Sequence, residues 1–272
     1  MSHPLILGHL TVMDCSPPHV VEIAADSGFP QVGLRIIPSR PDSKHYPLHN
    51  DPQLLAETER RLRDTGVTIY DFDVIRLTAE TSMEDLRPAI EAGARLGAKS
   101  VLVTAGDPDR ARFTDSYGAL CDLAAGFGIT ADLEYMLFTP TVPDHASAIE
   151  VVRNVGRANA GVLVDAIHFD RLGANVDELR ATPRELMHYI HLTDARAERP
   201  TTIEGLIEDT RAYRMLPGEG GIDLVAFLQA LPDDLPLCVE VSNAELDRTL
   251  SPRERAVRAM QATKSLLAAA GR

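Results

Sequence analysis

Short apolar runs alternate along the chain with longer amphipathic stretches, and each such pair occupies a few tens of residues. Short runs rich in β-branched residues are typical of buried strands, and apolar positions spaced three and four apart are typical of helices. The pattern predicts eight strands, at residues 4–10, 31–36, 67–72, 100–104, 129–135, 161–166, 189–193 and 236–242. It predicts seven helices, at residues 18–27, 52–64, 83–96, 115–126, 144–159, 222–231 and 252–270.

Glycine follows three of these helices just before a strand begins, in the sequences DTGVT, RLGAKS and GFGIT. Glycine is favoured where a helix ends, so the order helix, glycine, strand supports repeated βα units. Strands joined only through helices run parallel, and eight of them close most economically into a (β/α)8 TIM barrel, an α/β fold. An open doubly wound sheet is the alternative, but it usually has a Gly-rich turn after the first strand, where this chain has LGHLTVMDC.

The composition and charge of the chain limit the kinds of partner and site that it can have. The chain has 272 residues and no Pro/Gly/Ser-rich linker, which predicts a single domain over residues 1–272. The 40 acidic against 27 basic residues give a net charge of −13, which disfavours nucleic acid as a partner. The three scattered cysteines indicate neither a disulfide framework nor a zinc site built on sulfur. Because the sequence also has no basic leader and no stretch of membrane-spanning length, we expect a cytoplasmic protein without a membrane partner.

Four polar residues stand at or near the ends of four separate predicted strands. They are Glu134 in ITADLEY, Asp165 in AGVLVDA, His191 in HYIHLTD and Glu240 in PLCVEVS. The carboxyl ends of barrel strands all face the same mouth, and an unpaired buried carboxylate is costly, so these side chains should converge on something charged. Three carboxylates and one imidazole predict one divalent metal, with Mn²⁺ or Mg²⁺ favoured over Co²⁺, Fe²⁺ or Zn²⁺.

At these residues the chain resembles the xylose-isomerase-like superfamily, which contains sugar phosphate isomerases and epimerases as well as apurinic endonucleases. The likeness rests on LEY, VDAIHFDR, HLTD, PGEGGID and VEVS in this order, and it spans nearly the whole chain. The resemblance implies a TIM barrel and a divalent metal held by Glu134, Asp165, His191 and Glu240. The metal would chelate adjacent substrate oxygens and stabilise the enediolate that forms when the intervening C–H proton leaves.

The resemblance also implies roles for individual residues. In the epimerases, glutamates that match Glu134 and Glu240 lie on opposite sides of the reacting carbon, and one removes the proton that the other returns. Metal ligation alone is the alternative role for both residues. His168, in the D-x-x-H segment after Asp165, matches a histidine that hydrogen-bonds and polarises a substrate oxygen, although a loop histidine is also often solvated.

Two arginines are candidates for substrate binding. Arg35, in QVGLRI, could clamp a carboxylate or phosphate, or it could form an ion pair with Asp71 or Asp73. Arg196 belongs to an additional segment, residues 195–215, that could form a lid over an anionic substrate or could be a solvated excursion. The same segment contains three further arginines, Arg199, Arg211 and Arg214.

Two activities share the predicted metal and enolate. An isomerase or epimerase acting on a sugar, sugar phosphate or related keto-polyol is the first, and a dehydratase of the 3-dehydroshikimate or inosose type is the second. They differ in whether the proton returns or a β-hydroxyl leaves, and the arginines favour an anionic substrate. A phosphodiesterase usually needs a set of ligands with more histidines, and a non-enzymatic barrel would not keep all four ligand positions filled. The sequence leaves the oligomeric state open, and a homo-oligomer is one possibility.

Overall fold

Eight parallel strands close into a barrel in the computed structural model, which describes residues 3–272. Each strand pairs with the next one in chain order, and the first closes on the last through Leu5–Leu237, Ile6–Cys238 and Leu7–Val239. The strands are β1 (Leu5–Leu7), β2 (Gln31–Arg35), β3 (Thr68–Leu77), β4 (Ser100–Ala105), β5 (Thr130–Glu134), β6 (Ala160–Asp165), β7 (Ile190–Leu192) and β8 (Leu237–Val239). The predicted (β/α)8 fold is confirmed, and each predicted strand overlaps an observed one.

Eleven α-helices lie in the described chain, and the seven predicted from periodicity all overlap one of them. The helices are α1 (Pro17–Ser27), α2 (Pro52–Thr65), α3 (Met83–Arg95), α4 (Arg110–Ala125), α5 (His145–Val155), α6 (Ala166–Arg171), α7 (Val176–Arg180), α8 (Ile203–Ala212), α9 (Leu224–Ala230), α10 (Ala244–Thr249) and α11 (Pro252–Ala270). The helices α6, α7, α8 and α10 were not predicted. They have five to ten residues, too few to show a helical period clearly.

Apolar side chains fill two regions of the structure. The larger lies between the strands and the helices, where Phe72 of β3 packs so closely under α3 that a Cβ on Gly93 would lie 2.4 Å from the ring. The smaller consists of alternate strand residues with Tyr70 packed against them: Ile6, Val74, Leu102, Leu163, Tyr189 and Cys238. Strand residues alternate in direction, so this second cluster fills the barrel interior beneath its mouth.

The third strand is longer than predicted. It continues from Thr68 to Leu77, whereas the prediction ended at residue 72, and its register with β2 and with β4 shifts along the way. The additional residues bring Asp73 and Arg76 to the mouth side. Within the barrel, Asp71 needs the space left by Gly33, because a Cβ there would lie 2.5 Å from Oδ1 of Asp71.

The structure also shows the state of the cysteines and the character of the helices. All three cysteines are free and buried, as expected for a chain without a disulfide framework. Among the described helices, none combines the length and the apolarity needed to cross a membrane. The assignment of residues 1–272 to a single domain stays a prediction.

Candidate metal centre

Four consecutive strands bring the predicted ligands to the mouth of the barrel. Glu134 and Asp165 are the last residues of β5 and β6, His191 is the middle residue of β7, and Glu240 directly follows β8. Strand pairing fixes their positions along the barrel axis. Asp165 is in register with His191, and the Glu240 N–H donates to the Leu192 carbonyl at 3.2 Å. All four are at least 94% buried, so the sequence places carboxylates where water barely reaches.

The Nδ1 atom of His191 is the point on which the three carboxylates converge. It lies 3.3 Å from Oε2 of Glu240, 3.8 Å from Oε1 of Glu134 and 3.9 Å from Oδ2 of Asp165. Two overlapping sets of ligand atoms, one of Asp165, His191 and Glu240 and one of Glu134, Asp165 and His168, each lie within 4.8 Å of one another. The structure thus brings together all four residues that the sequence predicted as ligands.

Hydrogen bonding shows what this cluster is suited to hold. Neither ring nitrogen of His191 has a hydrogen-bond partner, although both are buried. A buried imidazole without partners is costly, whereas a metal ligand must keep a nitrogen lone pair free. Three carboxylates beside such a nitrogen form a donor set that suits a divalent cation with a preference for oxygen. The four predicted ligands therefore fit the divalent metal that the family resemblance implies.

The two glutamates have opposite electrostatic environments. Burial, together with the charges of Asp165 and Glu240, raises the pKa of Glu134 to about 8 against the opposing charge of His191. Burial would also raise the pKa of Glu240, but the charges of His191 and Arg214 outweigh it and hold that pKa below its usual range. The pKa of His191 is raised well above its usual value because Glu240 outweighs the effect of burial. In the protein without metal, Glu134 is the carboxyl group most ready to hold a proton.

His168 lies in the first turns of α6, directly after the Asp165 strand end. Its Nε2 is 4.0 Å from Oε1 of Glu134, and its ring meets the edge of Phe138 at a centroid distance of 5.7 Å. Burial lowers the pKa of His168 to about 4, so the ring is neutral near pH 7. A neutral ring at the cavity wall can donate or accept one hydrogen bond from a substrate oxygen.

Arg214 is the charged residue at this centre that sequence reasoning passed over. Its Nη1 lies 2.8 Å from Oδ2 of Asp165 and 3.5 Å from Oε2 of Glu240, and its Nε donates to the Thr210 carbonyl at 2.7 Å. The side chain is 4% exposed, and the nearby carboxylates raise its pKa above the usual value despite burial. The sequence placed Arg214 among the arginines of residues 195–215 but gave no sign that this one turns inward.

Arg196, the arginine chosen from that segment, has a different position. Its guanidinium pairs with Asp209 at 3.1 Å and lies 5.2 Å from the Tyr213 ring centroid. The side chain is 55% exposed and does not line the cavity at the barrel mouth. The coordinates therefore give no support to a substrate-binding role for Arg196, because a guanidinium outside the cavity cannot reach a ligand inside it.

Arg35 lines the cavity, but its guanidinium already has a partner. Both Nε and Nη2 donate to Oδ2 of Asp73, at 3.2 and 2.6 Å, and this ion pair is buried. Of the two interpretations offered by the sequence, the ion pair is the one present in the structure. A role of Arg35 in substrate binding stays a prediction.

Asp194 stabilises a loop at the barrel mouth. Its carboxylate accepts hydrogen bonds from the backbone N–H groups of Gly218, Gly220, Ile222 and Ala195 at 2.8–3.0 Å. A Cβ on Gly220 would lie 2.4 Å from Oδ1 of Asp194, so only glycine lets the chain approach this closely. Asp194 thus orders the PGEGGI loop and, through it, the end of the strand that carries His191.

A cavity of about 550 Å³ opens at the barrel mouth, and two of the four predicted ligands line it, Glu134 and Glu240. Glu134, Glu240, His168 and Arg214 line its floor, and the α8 segment contributes Ile207, Thr210 and Arg211 to one wall. The additional residues between β7 and β8 therefore form part of the cavity wall. A lid role for them stays a prediction. A volume of this size holds a small organic molecule.

Comparison with known proteins places the whole arrangement in one group. The family described as xylose isomerase-like TIM barrel matches residues 21–266. The chain belongs to the xylose isomerase-like TIM barrel family. Membership agrees with the closed eight-stranded barrel and with the ligand cluster at its mouth, and it confirms the family inferred from the sequence motifs.

Curated relatives of this xylose isomerase-like barrel are enzymes. An inosose isomerase from Bacillus subtilis is 31% identical over 115 residues, which are 42% of this chain and 39% of that protein. A 3-dehydroshikimate dehydratase from Pseudomonas aeruginosa is 27% identical over an alignment of 243 positions, which covers 83% of this chain and 36% of that protein. The matches thus span less than two fifths of each relative's length, and the relatives include both an isomerase and a dehydratase.

Solved structures show the same xylose isomerase-like fold. A crystal structure of an IolI protein with a bound zinc atom has a TM-score of 0.80 and 21% identity, covering 98% of both chains. The likeness shows that the barrel of this chain has the architecture of that protein from end to end.

Proposed function

We propose that this protein is a divalent-metal-dependent isomerase or epimerase that enolises a small keto-polyol, such as a sugar, a sugar phosphate or a related cyclic ketone. The observation that carries the proposal is the convergence of Glu134, Asp165 and Glu240 on Nδ1 of His191, beside a cavity that Glu134 and Glu240 line. The isomerase among the relatives supports the same reaction class.

The four ligands would hold the metal, with Mn²⁺ or Mg²⁺ favoured because three of the four donors are carboxylates. A divalent metal bound there supplies Lewis-acid polarisation of a carbonyl oxygen and its neighbouring hydroxyl. Arg214 supplies a fixed positive charge beside Asp165 and Glu240, and it orients these two carboxylates toward the same point.

Proton transfer falls to the glutamates and His168. The C–H proton between the two polarised oxygens moves to a carboxylate oxygen of Glu134 or Glu240, and the C–H electron pair becomes the enolate double bond. Return of a proton to the opposite face gives an epimer, and return to the neighbouring carbon gives an isomer. His168, neutral and next to Glu134, is placed to hydrogen-bond a substrate oxygen while its charge changes.

A dehydratase is the second candidate, and one observation favours it. A 3-dehydroshikimate dehydratase is among the relatives, and its match covers 83% of this chain. After the same first proton transfer, the β-carbon–oxygen bond would break, and the leaving oxygen would take a proton and depart as water. The neutral ring of His168 lies on the cavity wall, where it could pass that proton.

Deuterium exchange separates the two candidates. Protein loaded with Mn²⁺ is incubated in D₂O with a panel of ketoses, with 3-dehydroshikimate and with a keto-inositol. Deuterium in the recovered ketose supports the isomerase or epimerase, whereas an unsaturated chromophore supports the dehydratase. Glu134→Gln protein is the matched control, because it keeps the size of the side chain and removes its charge.

Both candidates depend on enolisation. A ketone of this panel that calorimetry shows to bind the Mn²⁺-loaded protein, yet that neither gains deuterium nor changes into product over many hours, would contradict the proposal. Exchange of equal rate in the metal-stripped protein would contradict the role given to the metal.

A further inference from the structure

The cavity is positively charged although the chain is strongly acidic. The whole protein has a net charge of −13. Yet the cavity is lined by six cationic side chains, Arg35, Arg40, Lys44, Arg76, Arg211 and Arg214, against two carboxylates, Glu134 and Glu240. Such a concentration of one sign in one cleft is not expected from the composition, and it attracts anions into the cavity.

Two of the six cations are already neutralised. Arg35 is paired with Asp73 at 2.6 Å, and Arg214 lies between Asp165 and Glu240. Within residues 3–272, no carboxylate lies within ion-pair distance of the guanidinium groups of Arg40, Arg76 and Arg211. These three arginines are therefore positive charges without an internal counter-charge.

The three arginines are also close enough to affect one another. Partial burial lowers the pKa of Arg211, and the positive charges of Arg40 and Arg76 lower it further. Like charges gathered at a cavity without an anion cost free energy, and the binding of an anion removes that cost. The structure thus carries an arrangement that a negatively charged ligand would stabilise.

Local contacts fix where each arginine stands. Arg76, near the end of β3, packs over Gly106, where a Cβ would lie 2.7 Å from its Nε and 2.9 Å from its Cγ. Arg40 stands on a turn closed by Ser43, whose Oγ accepts from the Arg40 N–H at 3.1 Å and whose N–H donates to the Arg40 carbonyl at 2.9 Å.

Arg211 is in the last turn of α8, and its carbonyl accepts a hydrogen bond from the Ser242 hydroxyl just beyond β8. Three separate segments, from β3, from the loop after β2 and from α8, therefore bring their arginines to one wall. Lys44 contributes a fourth charge from the Arg40 loop, with its Nζ 5.7 Å from the Tyr46 ring centroid.

We propose that Arg40, Arg76 and Arg211, with Lys44 beside them, form a subsite for an anionic group, a carboxylate or a phosphate, on the substrate whose reacting ketone lies at the metal centre. This inference rests on the proposed function and narrows its substrate class to anions. Guanidinium groups bind both kinds of oxyanion through paired N–H donors, and so the shared chemistry defines the subsite. The neighbouring metal centre then takes the opposite end of the same molecule.

The test compares two pairs of unreactive probes that differ only in the anionic group. Shikimate against its methyl ester tests a carboxylate, and ribitol 5-phosphate against ribitol tests a phosphate. Calorimetry on the full-length, Mn²⁺-loaded protein gives the affinity of each probe. The charged member of at least one pair should bind at least about tenfold more tightly, the gain expected of one charge-assisted contact. The pair that shows this preference identifies the anion.

Variants assign the preference to the cluster. Arg76→Gln and Arg211→Gln should each reduce it by about tenfold or more and should leave the affinity of the neutral probe within about twofold. Arg63→Gln is the matched control, because it removes the same charge at an exposed position of α2 outside the cavity. In the wild-type protein, a rise in salt should weaken the charged probe and leave the neutral one unchanged.

Equal affinity within both pairs, no measurable binding of either charged probe, or a preference that survives both variants would overturn the subsite. Failure of the subsite and failure of the proposed function can be told apart. If the protein exchanges deuterium but shows no preference for the charged probe, only the subsite is refuted. If the variants abolish a preference in a protein that exchanges no deuterium, only the proposed function is refuted.

Discussion

Nη1 of Arg214 lies 2.8 Å from Oδ2 of Asp165, and neither side chain is more than 4% exposed. The pair joins the segment before β8 to the end of β6, and Glu240 approaches the same guanidinium atom at 3.5 Å. An arginine cannot release its proton in this setting, so it stands as a permanent positive charge beside two of the four candidate metal ligands. This relationship links the stability of the metal-free protein to the candidate metal site.

Replacement of Arg214 by Gln should destabilise the metal-free protein by about 3–5 kcal/mol, because two buried carboxylates lose their partner. Saturating Mn²⁺ should recover a larger share of the free energy of unfolding in the variant than in the wild type, because the ion returns positive charge to the same place. Urea denaturation with and without metal measures both effects.

Arg248→Gln is the control for that comparison. Arg248 makes an exposed ion pair with Glu245 within α10, and its loss should change the free energy of unfolding by no more than about 0.5 kcal/mol. If the two variants lost the same stability, Arg214 would not be the counter-charge of the buried carboxylates.

The stability of the metal-free protein should depend on pH through Glu134. Burial raises the folded-state pKa of Glu134 from 4.5 to about 8, so the folded protein holds a proton that the unfolded chain releases. The stabilisation is complete below about pH 4.5 and is lost as pH rises toward 8. Between pH 5 and pH 8, Glu134 alone should contribute a loss of a few kcal/mol, on the order of its pKa shift. His9 and His168, whose pKa values burial lowers to about 4, act in the opposite direction up to about pH 6.5. Denaturant unfolding of the wild type and of Glu134→Gln at both pH values isolates the contribution of Glu134.

Glu134→Gln cannot ionise and should flatten this slope, so that at pH 8 the metal-free variant is more stable than the wild type. The slope should not vanish, because burial and the charge of Asp73 raise the pKa of Asp71 to about 7 and add to it. A variant with the full wild-type slope would show that Glu134 is ionised throughout.

His168 should affect turnover and not metal content. Its Nε2 lies 4.0 Å from Oε1 of Glu134, and the residue lies on the cavity wall. His168→Gln should retain one metal per chain and reduce deuterium exchange by about 10²-fold or more, the usual contribution of a group that assists proton transfer. Metal analysis and exchange rates on the same samples check both halves, with exposed His19→Gln as the control. Loss of metal in His168→Gln would make this residue a ligand instead.

Two buried helix glycines should respond in opposite directions to the same substitution. A Cβ on Gly93 would lie 2.4 Å from the Phe72 ring, so Gly93→Ala should cost about 1–3 kcal/mol by overpacking. A Cβ on Gly118 would meet Val155 at 3.8 Å, an ordinary contact, so Gly118→Ala should be neutral or stabilise by up to about 1 kcal/mol. Similar changes in Tm for both variants would contradict the packing of α3 on β3.

The sequence predicted the barrel and its ligands because both depend on local patterns. Strand residues such as Asp165 and Glu240 interrupt apolar runs at the carboxyl ends, and the topology of a parallel barrel brings such ends together without further information. The short helices at the mouth were missed because they have too few residues to show a period.

Except for Arg35, the arginines of the cavity could not be chosen from the sequence. Arg196 and Arg214 stand in one segment with similar neighbours, and only the fold of α8 turns Arg214 inward and leaves Arg196 on Asp209. Arg76 was missed because the predicted third strand ended four residues before it. Its contact with Gly106 joins two strands of the barrel, and sequence periodicity does not reveal such a contact.

The most direct test is anomalous scattering from a crystal of the wild-type protein soaked in Mn²⁺. The account predicts one strong peak at the barrel mouth, bound by a nitrogen of His191 and by carboxylate oxygens of Glu134, Asp165 and Glu240, at distances typical of Mn²⁺ ligands. A peak bound by other side chains would contradict the account. So would the absence of a peak at the barrel mouth with Arg214 still paired to Asp165 and Glu240.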